Sequence, residues 1–169
     1  NGLVWLAQIT LSNDRFSVEQ MFSLHYFDSV YYKPWQFITY MFLHDPGGIF
    51  LLLFNMFALW MFGSTLENLW GSKRFLIFYL ICGLGAAIVQ MGAMWFDIKT
   101  VLSQFSQGLV SEERVWMTIN TQILGASGAV MGIFAAFAYT FPNTQLFIIP
   151  IPVPIKAKWA MVGLIALDL

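Results

Sequence analysis

Residues 75–96 run for twenty-two positions without one charged side chain. About 20 apolar residues in a helix cross the hydrocarbon core of a bilayer, so whatever packs around this stretch must also be able to live in lipid. The rest of the sequence meets that demand. Of 169 residues, 59% are hydrophobic and 10% are charged, against roughly a quarter charged in a soluble domain. So few charges cannot coat a globule in water, and lipid has to be the solvent for most of the surface. Aromatics reach 18% and gather beside the apolar runs, at the depth where amphipathic rings meet lipid headgroups. The expected class is an all-α polytopic membrane protein built as a single transmembrane domain.

Five apolar segments are predicted. A partial first helix covers 1–12, too short to span. A second helix covers 37–62, with Gly47-Gly48 interrupting it near its start. The third covers 75–96 and the fourth 123–141, ending at Pro142-Asn143. A partial fifth helix covers 157–169. Between them, residues 13–36 mix Phe16, Phe22, Tyr26, Phe27, Tyr31, Tyr32 and Trp35 with Arg15, Glu19, Asp28 and Lys33, the pattern of a segment lying in the interface. Residues 63–74 read as a short polar link, 97–122 as a longer polar loop, and 142–156 as a Pro-rich link with four of the six prolines. The 63–74 and 142–158 connections, side one, carry Lys73, Arg74, Lys156 and Lys158 against the single acid Glu67. Side two has as many cations, but in longer loops crowded with acids. Cation density in short loops makes side one cytoplasmic.

Composition also excludes functions. A net charge of −1 argues against nucleic acid as a partner. One cysteine, Cys82, allows no intrachain disulfide and no thiolate cluster, and two histidines, His25 and His44, make no histidine-rich metal site; no metal and no cofactor is expected.

Polar side chains inside membrane helices are costly and are functional candidates; His44, Asn55, Gln90 and Ser127 qualify. The second and fourth segments run in the same direction, with one helix between them. Counted from Ile49 and Ile123, Asn55 and Ser127 both lie on the order of 6–10 Å below the side-two surface. A serine near a helix N-terminus meets unpaired backbone N–H groups and the positive end of the helix dipole, which stabilise an oxyanion; a nearby carboxamide adds a donor. Gly125 and Gly128 would let a substrate backbone come close without a Cβ in the way. Close helix packing explains the same residues as well, since Gly128 and Gly132 form a small-xxx-small pair on one face.

Gly125-Ala126-Ser127-Gly128, continued by Ala129 to Gly132, resembles the Gly-x-Ser-Gly motif of the rhomboid intramembrane serine proteases. Trp35-Gln36-Phe37 through Leu43-His44 resembles that family's entry into its second helix. Phe54-Asn55-Met56 through Phe62-Gly63, then Leu66-Glu67, Gly71 and Arg74-Phe75, resembles the second helix and the turn after it. The aromatic stretch 13–36 resembles the family's membrane-lying first loop.

The resemblance implies a rhomboid-like bundle with about five of six core helices present, in a bacterial cytoplasmic membrane, cutting transmembrane protein substrates near the extracytoplasmic side. Ser127 would be the nucleophile. The Ser127 N–H and the Asn55 side chain would form the oxyanion hole. His44, Glu67 and Arg74 would be structural, the last two bracing the turn between helices two and three. The general base would be a histidine on a sixth helix, which these residues do not contain. The chain as given is therefore expected to be inactive and poorly stable alone, with the Gly128/Gly132 face turned to lipid. Two departures stand out. Leu51 occupies the position, four before the asparagine, where the family commonly has a second histidine, and the His44–Asn55 spacing is about two residues longer than the family's. A non-catalytic relative that binds membrane clients is the alternative; an unrelated scaffold or transporter piece is a third, but a transporter would show paired broken helices or intramembrane charges, which the spans lack.

Overall fold

The computed structural model describes residues 1–12, 17–146 and 154–168. Parts of the interfacial segment (13–16), the centre of the Pro-rich link (147–153) and Leu169 lie outside the described residues.

Two helical rods are long and apolar enough to cross a membrane, Ile49–Trp70 and Ser72–Ser106. Only 33% and 22% of their most apolar windows are buried, and side chains such as Phe50, Phe54, Trp60, Ile88 and Val89 stand outward. In a globule such helices would be mostly buried; here their outward faces are what a bilayer solvates.

Helix α1 (Gly2–Leu11) leads to a short α2 (Val18–Phe22) and a two-residue strand β1 (Leu24–His25). The predicted second helix, 37–62, is in fact two pieces. Helix α3 (Gln36–Thr39) and a tight 3-10 turn, Tyr40–Phe42, form the first. After a break at residues 43–48, the rod resumes as α4 (Ile49–Ala58), widens into a π turn at Leu59–Gly63, and continues as α5 (Ser64–Trp70). The expected 63–74 link shrinks to one residue: Gly71 has φ +82, a conformation glycine adopts without penalty, and its N–H closes the helix on the Glu67 carbonyl at 2.8 Å.

The next helix, α6 (Ser72–Ser106), has 35 residues, not the 22 predicted. At 1.5 Å per residue it is about 52 Å long, longer than a hydrocarbon core of about 30 Å, and its C-terminal part, residues 97–106, forms an arm. Gly108 (φ +72) turns the chain, and α7 (Glu112–Ile119), capped by the Ser111 hydroxyl accepting from the Arg114 N–H, packs back on the arm. The predicted loop 97–122 is therefore largely helical. Strand β2 (Gln122–Ile123) pairs antiparallel with β1, Leu24 opposite Ile123 and His25 opposite Gln122. Helix α8 (Ser127–Thr140) starts four residues later than predicted, and α9 (Ala157–Asp168) follows a second small ribbon, β3 (Gln145–Leu146) with β4 (Ile155–Lys156).

The core sits where α6 and α8 meet. A Cβ added at Gly128 would lie 2.5 Å from the Ala86 Cβ, and one at Gly132 would lie 2.5 Å from the Cys82 sulfur. Small residues thus let the two helices approach until backbone packing replaces side-chain packing. This corrects the expected Gly128/Gly132 face: both glycines are half-buried and pack against Ala86 and Cys82 of α6. Phe62, swung inward by the π turn, closes the cluster against Phe134 and Phe137, at ring-centroid distances of 4.6 and 4.9 Å.

Candidate active site

Three residues, Leu124, Gly125 and Ala126, separate β2 from α8, and they set up the serine. Gly125 has φ +131, which excludes other L-residues, and its N–H donates to the Tyr40 carbonyl at 3.0 Å. Ala126 is fully buried. Ser127 is the first residue of α8 and is exposed. The first helical bond of α8 runs from the Val130 N–H to the Ala126 carbonyl at 2.9 Å, so the amides of Ser127, Gly128 and Ala129 have no acceptor within the helix. A serine hydroxyl, amides without helical acceptors and the dipole's positive end therefore coincide at one point. Gly125 serves this loop by its backbone conformation. Gly128, expected to admit a substrate backbone, instead admits α6.

Asn55 lies on α4, which packs against α8, and is 4% exposed. Its Nδ2 sits 3.4 Å from the Nε2 of His44. His44 is buried as well, and its main chain is gripped on both sides by Gln8 of α1: the Gln8 Nε2 donates to the His44 carbonyl at 2.8 Å, and the His44 N–H donates to the Gln8 Oε1 at 3.0 Å. No hydrogen bond joins Asn55 to Ser127 among the described residues. What links them is the 36–44 segment, which holds the serine loop through Tyr40 and the asparagine through His44.

That segment is fixed to the interfacial one by the residues of its own motif. Trp35 Nε1 donates to the Met21 carbonyl at 3.2 Å, Gln36 Nε2 to the Tyr31 carbonyl at 2.9 Å, and Thr39 Oγ1 to the Phe22 carbonyl at 2.7 Å. Glu19 accepts from Gln8 Nε2 at 3.1 Å and from the Ser12 and Ser17 hydroxyls at 2.9 Å. Burial pushes its carboxyl up, but its own backbone N–H and these three side chains more than offset that and hold it below the usual range. His25 is buried in β1, its Nδ1 3.0 Å from the Ser23 carbonyl. Burial pushes its imidazole below the usual value, against the opposing pull of Ser23 and Gln36.

Other expected site residues fall elsewhere. Gln90 points outward from α6 and belongs to no site. Arg74 is exposed and Glu67 half-buried; no hydrogen bond or ion pair joins their side chains, and backbone bonds around Gly71 hold the turn they were expected to brace. Leu51 is 52% exposed. Gln8, absent from the sequence expectations, is the residue that reasoning missed. Its signal was available: it is the one amide in a helix whose other polar side chain is Thr10, and an intramembrane amide needs a partner. Among the described residues no group of His, Cys, Asp or Glu converges as a metal site.

The family model described as Rhomboid domain matches residues 32–169. The chain is 34% identical over 102 residues to Rhomboid protease AarA of Providencia stuartii, covering 60% of this chain and 32% of that protein. It is 30% identical over 115 residues to Rhomboid protease GluP of Bacillus subtilis, covering 68% and 17%. To Rhomboid protein 1, mitochondrial, of Saccharomyces cerevisiae it is 28% identical over 112 residues, covering 66% and 27%. The chain thus spans a third or less of the length of these relatives, which come from bacteria and mitochondria alike. No solved structure gives a significant match. The family match takes in both membrane rods, Asn55 and the whole Gly125–Gly128 motif, and the chain belongs to the rhomboid family of helical membrane proteins.

Proposed function

We propose that these residues carry the nucleophile and oxyanion hole of an intramembrane serine endopeptidase acting on transmembrane protein substrates near the side-two surface. The observation that carries this reading is the position of Ser127: exposed, first in its helix, and beside amides with no acceptor in that helix. Its hydroxyl attacks the scissile carbonyl, and the carbonyl oxygen takes up negative charge beside the Ser127 N–H and the Asn55 carboxamide. The serine proton passes to a base, then to the leaving amine; water repeats the cycle to release the acyl group. Neither His25, whose Nδ1 lies 3.0 Å from the Ser23 carbonyl, nor His44, whose Nε2 lies 3.4 Å from the Asn55 Nδ2, is hydrogen-bonded to Ser127 among the described residues, so neither is assigned as that base.

A serine-directed phosphonate probe on the full-length protein tests the reading. Labelling is expected at Ser127 and is expected to vanish in Ser127→Ala, together with cleavage of a transmembrane reporter. Equal labelling of that variant would sink the nucleophile. The second reading, a client-binding relative without catalysis, draws on Leu51, which offers no oxyanion donor. It predicts no labelling, with binding of the reporter unchanged by Ser127→Ala.

A further inference from the structure

The contact between His44 and Asn55 has a role beyond burial. An asparagine carboxamide turns about a broad, nearly two-fold torsion, so its oxygen and its NH2 exchange places at little cost. An oxygen turned toward a developing oxyanion would repel it; an NH2 would stabilise it. The carboxamide has two N–H donors. At 3.4 Å, His44 Nε2 is placed to accept one of them, which fixes the orientation and leaves the second donor for the reaction. The imidazole is itself only 1% exposed, and its backbone is held by Gln8 from α1, at 2.8 and 3.0 Å, so the acceptor is anchored independently of the helix that carries Asn55. Position 51, one turn before Asn55 on the same helix, supplies only an exposed leucine side chain.

We propose that His44 is a positioning residue that orients the Asn55 carboxamide toward the oxyanion, which makes the single asparagine donor effective in a chain with leucine at position 51. This rests on the reading of Ser127 and Asn55 given above.

The test is steady-state cleavage of a transmembrane reporter by the full-length protein, with folding followed by thermal melting in detergent. His44→Leu is expected to lower kcat on the order of 10–100-fold, as small misplacements of reacting groups do, and to leave KM within a few-fold. His44→Gln reaches the same point with an acceptor and should recover most of the rate; His44→Asn, too short, should not. Because His44 acts through Asn55, adding His44→Leu to Asn55→Ala should cost nothing further. Losses that multiply in the double variant, or equal rates for His44→Gln and His44→Asn, would overturn the proposal while leaving the protease reading intact. Were His44→Leu too unstable to assay, the Gln–Asn pair would decide alone. Full kcat in Asn55→Ala would instead remove the asparagine from the oxyanion hole, and undiminished cleavage by Ser127→Ala would remove the protease reading itself.

Discussion

Leu51 is where the candidate site is thinnest. It lies one helical turn from Asn55 and is 52% exposed, so a larger polar ring has room there. Loss of one oxyanion donor typically costs about 10²–10³ in rate. Leu51→His is therefore expected to raise kcat in reporter cleavage by the full-length protein, up to that ceiling, with KM little changed. An unchanged kcat would mean that a ring at position 51 stays out of reach of the reacting oxygen. At this scale the sequence was readable for residues whose chemistry is rare in lipid: Ser127 between glycines, and Asn55 in an apolar run. It was unreadable for Gln8, whose partners lie 11 and 36 positions away, and for the contact between His44 and Asn55, which depends on how residues 43–48 fold back on α4.

Between elements, stability rests on how closely α6 and α8 approach. Gly132 has Cys82 beneath it and Gly128 has Ala86, each 2.5 Å from where a Cβ would stand. Gly132→Leu should force the helices apart, at about 1–3 kcal/mol for overpacking of this kind, read as a lower melting temperature. Gly92 lies on α6 with nothing within 4 Å of its missing Cβ. Gly92→Ala should be neutral or stabilising by up to about 1 kcal/mol; equal destabilisation by both changes would show that the α6–α8 contact is not what holds the fold. Hydropathy located both helices but misjudged their ends. Asp97 and Lys99 read as the end of a span, yet nothing in residues 97–106 breaks a helix, and α6 runs on to Ser106. Ile123 and Leu124 read as the first turn of α8, yet pairing of β2 with β1 and the φ of Gly125 hold them extended.

For the molecule as a whole, Glu19 is the knot of the interfacial segment, joining α1 to α2 through Gln8, Ser12 and Ser17. Its carboxyl lies below the usual value in the folded protein, so the folded state binds fewer protons than the unfolded one. That stability is complete above about pH 4.3, the ordinary glutamate value, and is lost as pH falls through the lowered one. Exposure to water keeps the effect small. Hydrogen exchange of the backbone amides of residues 17–25 should quicken below that pH, and Glu19→Gln should remove the pH dependence; the same dependence in the variant would assign it to another group.

Helix α8 has 14 residues, about 21 Å at 1.5 Å per residue, against about 30 Å of hydrocarbon. If its end at Thr140 reaches side one, its beginning stops about 9 Å short of the other face. The first-turn amides and the Ser127 hydroxyl cannot face dry lipid there, where each unpaired polar group costs several kcal/mol. In that placement the shortness of one helix requires water above Ser127, and water is the reactant that the proposed peptide hydrolysis would consume at that depth.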